Sequence, residues 1–187
     1  MNVVFDVFGT LLTFSGQRRN PYRHLMGRGK ARLPFLTRNV PVEIFAEECG
    51  LPHLVPTIRR ELKAELRALR LFDDVAPTLQ ALRAAGVRIG VCSNLAAEYG
   101  PAVRRLLPEL DAYVLSYEVG AVKPDPAIYQ VVCEALDCAP SDVLFVGDSR
   151  RADVEGPRAF GMRANIVNRL AGQTLAGWMV EFMRDGC

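Results

Sequence analysis

Residues 143–162 read VLFVGDSRRADVEGPRAFGM, an apolar run that passes through a polar turn into a helical pattern. The run 143–146 predicts a buried strand, and the following helix is expected to start near Asp153 and to end at Gly161. Three other apolar runs lead into polar turns in the same way: 3–5, 88–92 and 112–115. Further helical patterns lie between the runs, at 76–85 and 127–136. Strands that alternate with helices indicate an α/β protein with a parallel sheet covered on both faces.

The stretch 14–69 interrupts this alternation. It opens with an irregular part rich in glycine and arginine and continues into helical patterns at 42–49 and 55–69. A chain of 187 residues that is 50% hydrophobic can bury one sizeable core and leaves room for a small insert. We therefore expect a core domain of residues 1–13 and 70–187, with a helical cap of residues 14–69 inserted after the first strand. The chain would cross between them near Thr13 and Arg70.

The end of the chain, 168–187, carries a second group of apolar side chains. Its large members are Leu170, Leu175, Trp178, Met179, Phe182 and Met183. We expect them to pack as a terminal helix, and the alternative is a contact between subunits. The chain is accordingly expected to be a monomer or a homodimer.

Charge and cysteine content exclude several classes of protein. The formal net charge of +2 is too small to indicate nucleic-acid binding, and no known binding module is present. Five cysteines at irregular spacings form no zinc-binding pattern and are expected to be reduced thiols. No apolar run approaches the ~20 residues that span a membrane, and the N-terminus does not resemble a signal peptide. We therefore expect a cytoplasmic protein that binds neither nucleic acid nor membranes.

One segment is locally basic. Residues 15–40 hold seven basic side chains and no acidic one: Arg18, Arg19, Arg23, Arg28, Lys30, Arg32 and Arg38. Such a segment would raise the local concentration of anions, whether phosphate or carboxylate. A solvated loop without a role in substrate binding is the alternative.

Reactive side chains follow the predicted strands. Asp6 comes directly after the first strand, where a carboxylate could attack an electrophile and form a covalent intermediate. Ser93 and Asn94 follow the second strand and could donate hydrogen bonds to an anionic oxygen. Lys123 precedes a Pro-Asp-Pro turn that could hold its ammonium near carboxylates. Taken singly, these residues could also be a turn residue, a helix N-cap and a solvated surface lysine.

Two further carboxylates follow the fourth predicted strand. Asp148 ends this strand, and Asp153 lies five positions further along the chain. Carboxylates that face Asp6 would repel it unless a hard divalent cation neutralised them. Mg²⁺ accepts oxygen ligands of this kind. The three side chains therefore predict a magnesium site.

Four motifs in this order resemble those of the haloacid dehalogenase-like (HAD) hydrolases. They are FDVFGTLL at 5–12, VCSN at 91–94, VKPDPAIY at 122–129 and VGDSRRADVEGPRAFGM at 146–162. The resemblance extends over nearly the whole predicted core and implies a Rossmann-like three-layer fold. The insert after the first motif resembles the helical caps of the C1-type branch, which close over the site and select the substrate.

The resemblance also implies a role for each acidic residue. Asp6 would be the nucleophile and a ligand of Mg²⁺, and the backbone carbonyl of Phe8 would be another ligand. Asp148 would bind the metal. Asp153 would bind it or orient it through water.

The remaining motif residues would act on the transferring group. Ser93 and Asn94 would hold that group. Lys123 would balance the carboxylates and steady the nucleophile or its covalent adduct.

Phe8 departs from the pattern of the family's phosphatases, which usually carry a second Asp at this position to protonate the leaving alcohol. The loss of such a general acid typically costs ~10²–10⁴ in rate. The members that hydrolyse 2-haloacids resemble this chain here, since they carry an aromatic residue and a halide leaves without a proton. Those enzymes work without a metal, however, and typically have small polar residues in place of Gly147 and Asp148.

Three hypotheses follow from these residues. The first is a Mg²⁺-dependent hydrolase that acts through an aspartyl intermediate on a small phosphorylated metabolite. The second is a 2-haloacid dehalogenase, and both would take a small anionic substrate. The third is a ligand-binding or regulatory protein with low activity.

Overall fold

The centre of the molecule is a parallel sheet. A computed structural model describes residues 2–16, 20–26 and 33–179. Its strands are β1 (Asn2–Phe5), β2 (Leu12–Phe14), β3 (Leu69–Leu71), β4 (Arg88–Ser93), β5 (Ala112–Leu115), β6 (Val143–Gly147) and β7 (Arg163–Ile166). Five of them form one sheet in the order β5-β4-β1-β6-β7, and all neighbouring pairs are parallel. The predicted α/β class and the four predicted strands are confirmed. β7 was missed because only Ala164 among its residues is buried, so it lacks an apolar run.

Helices connect these strands. They are α1 (Leu33–Thr37), α2 (Val42–Glu48), α3 (Val55–Ala68), α4 (Val75–Ala84), α5 (Gly100–Leu106), α6 (Ser116–Val119), α7 (Pro126–Ala135) and α8 (Gly156–Phe160). α4 and α7 confirm the helices predicted at 76–85 and 127–136. The third predicted helix starts as a π-helical turn, Arg150–Glu155, before α8 runs to its cap at Gly161. Within the described ranges, no helix combines the length and apolar character that a membrane span requires.

The sheet separates two hydrophobic clusters. Val3 and Phe5 lie in the first cluster and Val4 lies in the second, because successive side chains of a strand point to opposite faces. α4 contributes Leu82 to the first cluster, and α7 contributes Ile128 to the second. Both faces of the sheet are therefore covered by helices, as the predicted Rossmann-like architecture requires.

The elements α1 to α3 lie along the chain between two short antiparallel strands. β2 pairs with β3, and Thr13 lies opposite Arg70 in the register. The two positions at which the chain was expected to cross between core and insert are thus paired partners. Ile58 and Leu62 of α3 join the first hydrophobic cluster. The division into a core and a cap of residues 14–69 stays a prediction.

The basic segment is only partly described. Arg18, Arg19, Arg28, Lys30 and Arg32 lie outside the described residues. Arg23 forms an ion pair with Glu61 at 2.7 Å, and Arg38 forms one with Glu48 at 2.7 Å. These two arginines are therefore neutralised locally.

The C-terminal stretch contributes to the core through fewer residues than predicted. Leu175 and Trp178 are buried, and the Trp178 ring meets Phe5 edge to face at 6.0 Å. The expectation that Leu170 packs inward is wrong, because this side chain is fully exposed. It lies in a 3-10 turn, Arg169–Ala171, whose inward side chain is that of Arg169. Phe182 and Met183 lie outside the described residues.

Candidate active site

The predicted site residues come from loops at one edge of the sheet. Asp6 follows β1, Ser93 ends β4, and Asp148 follows β6. The Asp6 backbone N–H donates to the carbonyl of Val146 at 2.8 Å, which fixes the start of the loop after β1 against β6. Because these strands are parallel, their carboxyl ends meet at the edge where ligands bind in open α/β sheets.

Lys123 joins two of the carboxylates. Its Nζ donates to Asp6 Oδ1 at 2.7 Å and to Asp153 Oδ1 at 2.6 Å. The lysine side chain is 2% exposed, and its Nζ lies 5.1 Å from the centroid of the Phe145 ring. A buried ammonium between two carboxylates offsets charge that would otherwise be costly to bury.

Burial and charge together shift the pKa values of Asp6 and Lys123. Desolvation raises the pKa of Asp6 to about 6, although the charge of Lys123 acts against the rise. Burial alone would lower the pKa of Lys123, but Asp6 and Asp153 raise it well above its ordinary value. At neutral pH Asp6 is therefore an anion held beside a fully charged ammonium.

Ser93 and Asn94 form hydrogen bonds to different residues. The Ser93 hydroxyl donates to Asp6 Oδ1 at 3.2 Å. The Asn94 side chain binds the backbone of Lys123 twice: its Oδ1 accepts from the Lys123 N–H at 2.8 Å, and its Nδ2 donates to the Lys123 carbonyl at 2.9 Å. Asn94 therefore links the end of β4 to the loop that carries the buried lysine, a contact that the sequence did not predict.

The π-helical turn carries the third carboxylate. Asp153 is buried, and its Oδ2 accepts a hydrogen bond from the Ser149 backbone N–H at 2.8 Å. A β-carbon on Gly147 would lie 2.4 Å from Asp153 Cγ, so this position leaves no room for a side chain. Turns of this type often occur at functional sites.

Three carboxylates form a candidate cation site. One oxygen each from Asp6, Asp148 and Asp153 lies within 4.8 Å of the others. A β-carbon on Gly9 would lie 2.1 Å from Asp148 Oδ2, so any side chain at this position would displace the carboxylate. An all-oxygen set of carboxylates is the donor chemistry that Mg²⁺ takes, and the residues present fit such an ion. The ligand role predicted for the Phe8 carbonyl stays a prediction.

Phe8 lies in an aromatic environment. Its ring stacks on Phe14 at 5.6 Å and meets Tyr99 edge to face at 5.6 Å. Beside it lies a cavity of about 160 Å³, whose aromatic lining is Phe8, Tyr22, Phe35 and Tyr99. Four aliphatic residues and two asparagines complete the lining. Tyr99 and Tyr22 had no sequence signal, since they are brought to Phe8 from separate parts of the chain.

Two glutamates join residues of the 14–69 stretch to the core. Glu98 accepts from the Tyr22 hydroxyl and, at 2.7 Å, from the Val42 N–H. Glu65 is buried and accepts from the Tyr99 hydroxyl at 2.5 Å. These contacts hold the tyrosine hydroxyls at the margin of the cavity. Sequence reasoning gave neither glutamate a role.

Comparisons with known proteins agree with this arrangement. The model of the haloacid dehalogenase-like hydrolase family matches residues 1–161. A phosphatase from Mycobacterium tuberculosis is 32% identical over 94% of this chain and 90% of its own length. An (S)-2-haloacid dehalogenase from a Pseudomonas species is 31% identical over 89% of this chain and 84% of its own length.

Solved structures share the fold. An HAD phosphatase from Thermococcus onnurineus superposes with a TM-score of 0.63 and 26% identity, over 90% of this chain and 86% of the other. An HAD family enzyme from Bacteroides thetaiotaomicron, solved with magnesium and inorganic phosphate, gives a TM-score of 0.70 at 17% identity. That superposition spans 88% of this chain and 92% of the other, and it is evidence of the shared fold alone. On the family match and these relatives, the chain belongs to the haloacid dehalogenase-like hydrolases.

Proposed function

We propose that this protein is a Mg²⁺-dependent phosphohydrolase that acts on a small phosphate ester through a covalent intermediate on Asp6. The observation that carries the proposal is the double hydrogen bond from Ser93 and Lys123 to Asp6 Oδ1. Because both donors bind Oδ1, Oδ2 is the oxygen left to attack phosphorus. The similar phosphatase from Mycobacterium tuberculosis supports the same chemistry.

The reaction proceeds in two steps. Asp6 Oδ2 forms a bond to phosphorus, the ester oxygen leaves with its electron pair, and water then cleaves the acyl phosphate on Asp6. Lys123 keeps Asp6 ionised before attack and offsets charge on the phosphoryl group afterwards. Asp6, Asp148, Asp153 and the Phe8 carbonyl would hold Mg²⁺, which supplies positive charge for the phosphoryl oxygens.

Ser93 and Asn94 are assigned to the transferring group, as the resemblance implies. The Ser93 hydroxyl lies at the nucleophile, within reach of a phosphoryl oxygen bound to Asp6. Asn94 acts in addition as a positioning residue, because its amide holds the Lys123 backbone on both sides. A misplaced lysine would leave the carboxylates of Asp6 and Asp153 uncompensated.

We also propose that residues 14–69 form the helical cap of a core made of residues 1–13 and 70–187. The antiparallel pair β2 and β3 is the connection, and the contacts of Glu98 and Glu65 hold the two parts together. A cytoplasmic location is part of the proposal, in keeping with four free cysteines in the described residues: Cys49, Cys92, Cys133 and Cys138.

A second candidate function is 2-haloacid dehalogenation. Phe8 favours it, because an aromatic residue stands where phosphatases of the family carry the general acid. The similar (S)-2-haloacid dehalogenase from Pseudomonas also supports it. In that reaction Asp6 would attack the carbon that bears the halogen, and no metal would be needed. A protein that binds anions with little turnover is the third possibility.

One experiment separates these functions. Phosphate release from p-nitrophenyl phosphate is measured with Mg²⁺ and with EDTA, next to chloride release from (S)-2-chloropropionate. The proposal expects Mg²⁺-dependent phosphate release that is lost in Asp6→Asn and kept in Asp73→Asn, an exposed carboxylate outside the site. Chloride release in EDTA without phosphate release would instead establish the dehalogenase. If neither phosphate nor chloride is released while the protein still binds phosphate, the result would favour the binding protein.

A further inference from the structure

The cavity beside Phe8 is suited to one part of the substrate, the group that leaves. Two of its lining residues are close in sequence to the nucleophile and to its hydrogen-bond donor, since Phe8 lies two residues after Asp6 and Asn94 follows Ser93. None of the described residues that line the cavity carries a charge. A leaving group with its own carboxylate or phosphate would therefore lack a counter-charge from these residues.

The size of the cavity matches a single ring. Its volume is about 160 Å³, and an apolar protein cavity of roughly 150 Å³ is known to bind benzene. The rings of Phe8 and Tyr99 meet edge to face, and those of Tyr22 and Phe35 are tilted at a centroid distance of 5.2 Å. Aromatic pairs favour such offset geometries, so a bound ring would find edges and faces to pack against.

The tyrosines offer ring carbons rather than free hydroxyl donors. The Tyr99 hydroxyl donates to Glu65 at 2.5 Å, and the Tyr22 hydroxyl donates to Glu98. Among the described lining side chains, the two asparagines remain to pair with the hydroxyls of a sugar, and the Asn94 amide already binds the Lys123 backbone. An aromatic group makes no such demand.

The chemistry at Phe8 requires the same kind of group. Phe8 cannot donate a proton to the departing oxygen, and the loss of a general acid costs ~10²–10⁴ in rate when the leaving group is basic. A phenol has a pKa of about 10, as in tyrosine, and leaves as phenolate far more readily than an alkyl alcohol leaves as alkoxide. A ring in this cavity therefore compensates for the missing acid.

We propose that the substrate of this enzyme is an aryl phosphate, with a single uncharged ring bound in the cavity that Phe8 and Tyr99 line. This inference rests on the proposed phosphohydrolase function. Asp6 Oδ2 forms the new bond to phosphorus, the bond between phosphorus and the aryl oxygen breaks, and the phenolate takes a proton from bulk water after release. Water then returns Asp6 to its carboxylate and releases inorganic phosphate.

The first test measures binding without turnover, so the reactivity of the leaving group plays no part. Inhibition by phenylphosphonate and by methylphosphonate is compared with Mg²⁺ present and p-nitrophenyl phosphate as substrate. The inhibition constant of phenylphosphonate should be at least tenfold lower than that of methylphosphonate, because only phenylphosphonate carries a ring. Equal inhibition constants would overturn the aryl pocket, while phosphate release would still support the phosphohydrolase.

The second test fills the cavity. Leu36→Phe adds bulk at a half-buried lining residue, and Leu170→Phe makes the same change at a fully exposed position. Acetyl phosphate is the reference substrate, because its leaving group, acetate, departs readily without a ring. The ratio of kcat/KM for phenyl phosphate to that for acetyl phosphate should fall at least tenfold in Leu36→Phe only. An unchanged ratio in a folded Leu36→Phe protein would overturn the inference. No phosphate release from either compound by the unaltered protein would refute the phosphohydrolase itself.

Discussion

The Asn94 side chain and the Lys123 backbone bind each other in both directions, with Oδ1 accepting at 2.8 Å and Nδ2 donating at 2.9 Å. The two residues belong to different loops, and their hydrogen bonds fix the position of the Lys123 backbone, from which the buried side chain extends. Lys123 in turn binds Asp6 and Asp153, so the Asn94 amide is connected to the carboxylate cluster through the lysine.

Asn94→Ala should therefore lower kcat/KM for p-nitrophenyl phosphate by about 10²-fold, because an error of about 1 Å in a positioned group costs this much. Asn39→Ala, at an exposed position, is the matched control and should leave kcat/KM unchanged. Steady-state kinetics at saturating Mg²⁺ provides the measurement. Wild-type kinetics in Asn94→Ala would show that Lys123 keeps its place without this amide.

Gly9→Ala tests the contact between the nucleophile loop and Asp148. Gly9 has a φ of 84°, and a β-carbon there would lie 2.1 Å from Asp148 Oδ2. Gly86 has a φ of 71° with no atom within 4 Å of an added β-carbon, so Gly86→Ala carries the backbone strain without the clash. Both variants should lose roughly 1–2 kcal/mol of stability from the left-handed backbone.

Only Gly9→Ala should also need more Mg²⁺ for half-maximal activity, because Asp148 is pushed away from the other carboxylates. Titration of activity with Mg²⁺, alongside urea unfolding, separates the two effects. An equal Mg²⁺ requirement in both variants would argue that Asp148 does not contribute to metal binding.

Phe8→Asp tests whether the missing proton donor limits the reaction. A carboxyl group at this position should raise kcat/KM for an alkyl phosphate such as glycerol 1-phosphate, by up to about 10²-fold. Phe8→Asn removes the same aromatic contacts but cannot transfer a proton, and it should not gain activity. Equal activity of the two variants would mean that proton donation at residue 8 does not limit turnover.

The ion pair between Asp74 and Arg169 should dominate the stability of the loop after β1. Arg169 Nη1 lies 2.7 Å from Asp74 Oδ2, and its Nη2 donates to the Thr10 carbonyl at 2.8 Å. The side chains are 16% and 8% exposed. The pair is partly buried, and loss of a hydrogen bond to a charged group costs about 1.5–3 kcal/mol, so Arg169→Leu should lower the free energy of unfolding by this order. Arg150→Leu, which removes an ion pair with 85% and 58% exposed side chains, should cost under ~1 kcal/mol.

The same pair predicts a pH dependence. Burial would raise the pKa of Asp74, but the hydrogen bonds from Arg169 and Leu175 lower it below its ordinary value of 3.8. A carboxyl with a lowered folded-state pKa stabilises the protein above its unfolded-state pKa, and this contribution disappears as pH falls through the folded-state pKa. Asp74→Asn should thus be less stable than the unaltered protein at pH 7 and approach it as the pH falls through the folded-state pKa, which lies below 3.8. A stability difference that persists unchanged in acid would exclude this charge as its source.

The sequence determined the class of fold and the identity of the reactive side chains. Alternation of apolar runs and helical patterns is a local property of the sequence. It was enough to predict four strands of the sheet and the helices at 76–85 and 127–136. The edge strand β7 escaped this reasoning because three of its four residues are exposed and the strand lacks an apolar run. Leu170 was misplaced for a related reason, since an apolar side chain in a turn obeys no helical period.

Tertiary structure alone decided how those side chains meet. The contacts of Lys123 with Asp6, of Asn94 with the Lys123 backbone and of Arg169 with Thr10 join residues that are far apart in the chain. The ring cluster around Phe8 likewise combines residues from the stretch 14–69 and from the segment after β4. Such contacts depend on how whole helices and strands pack against one another. A sequence motif therefore predicts which chemical groups are present. Only the packed chain determines the distances between these groups, their burial and their shifted pKa values.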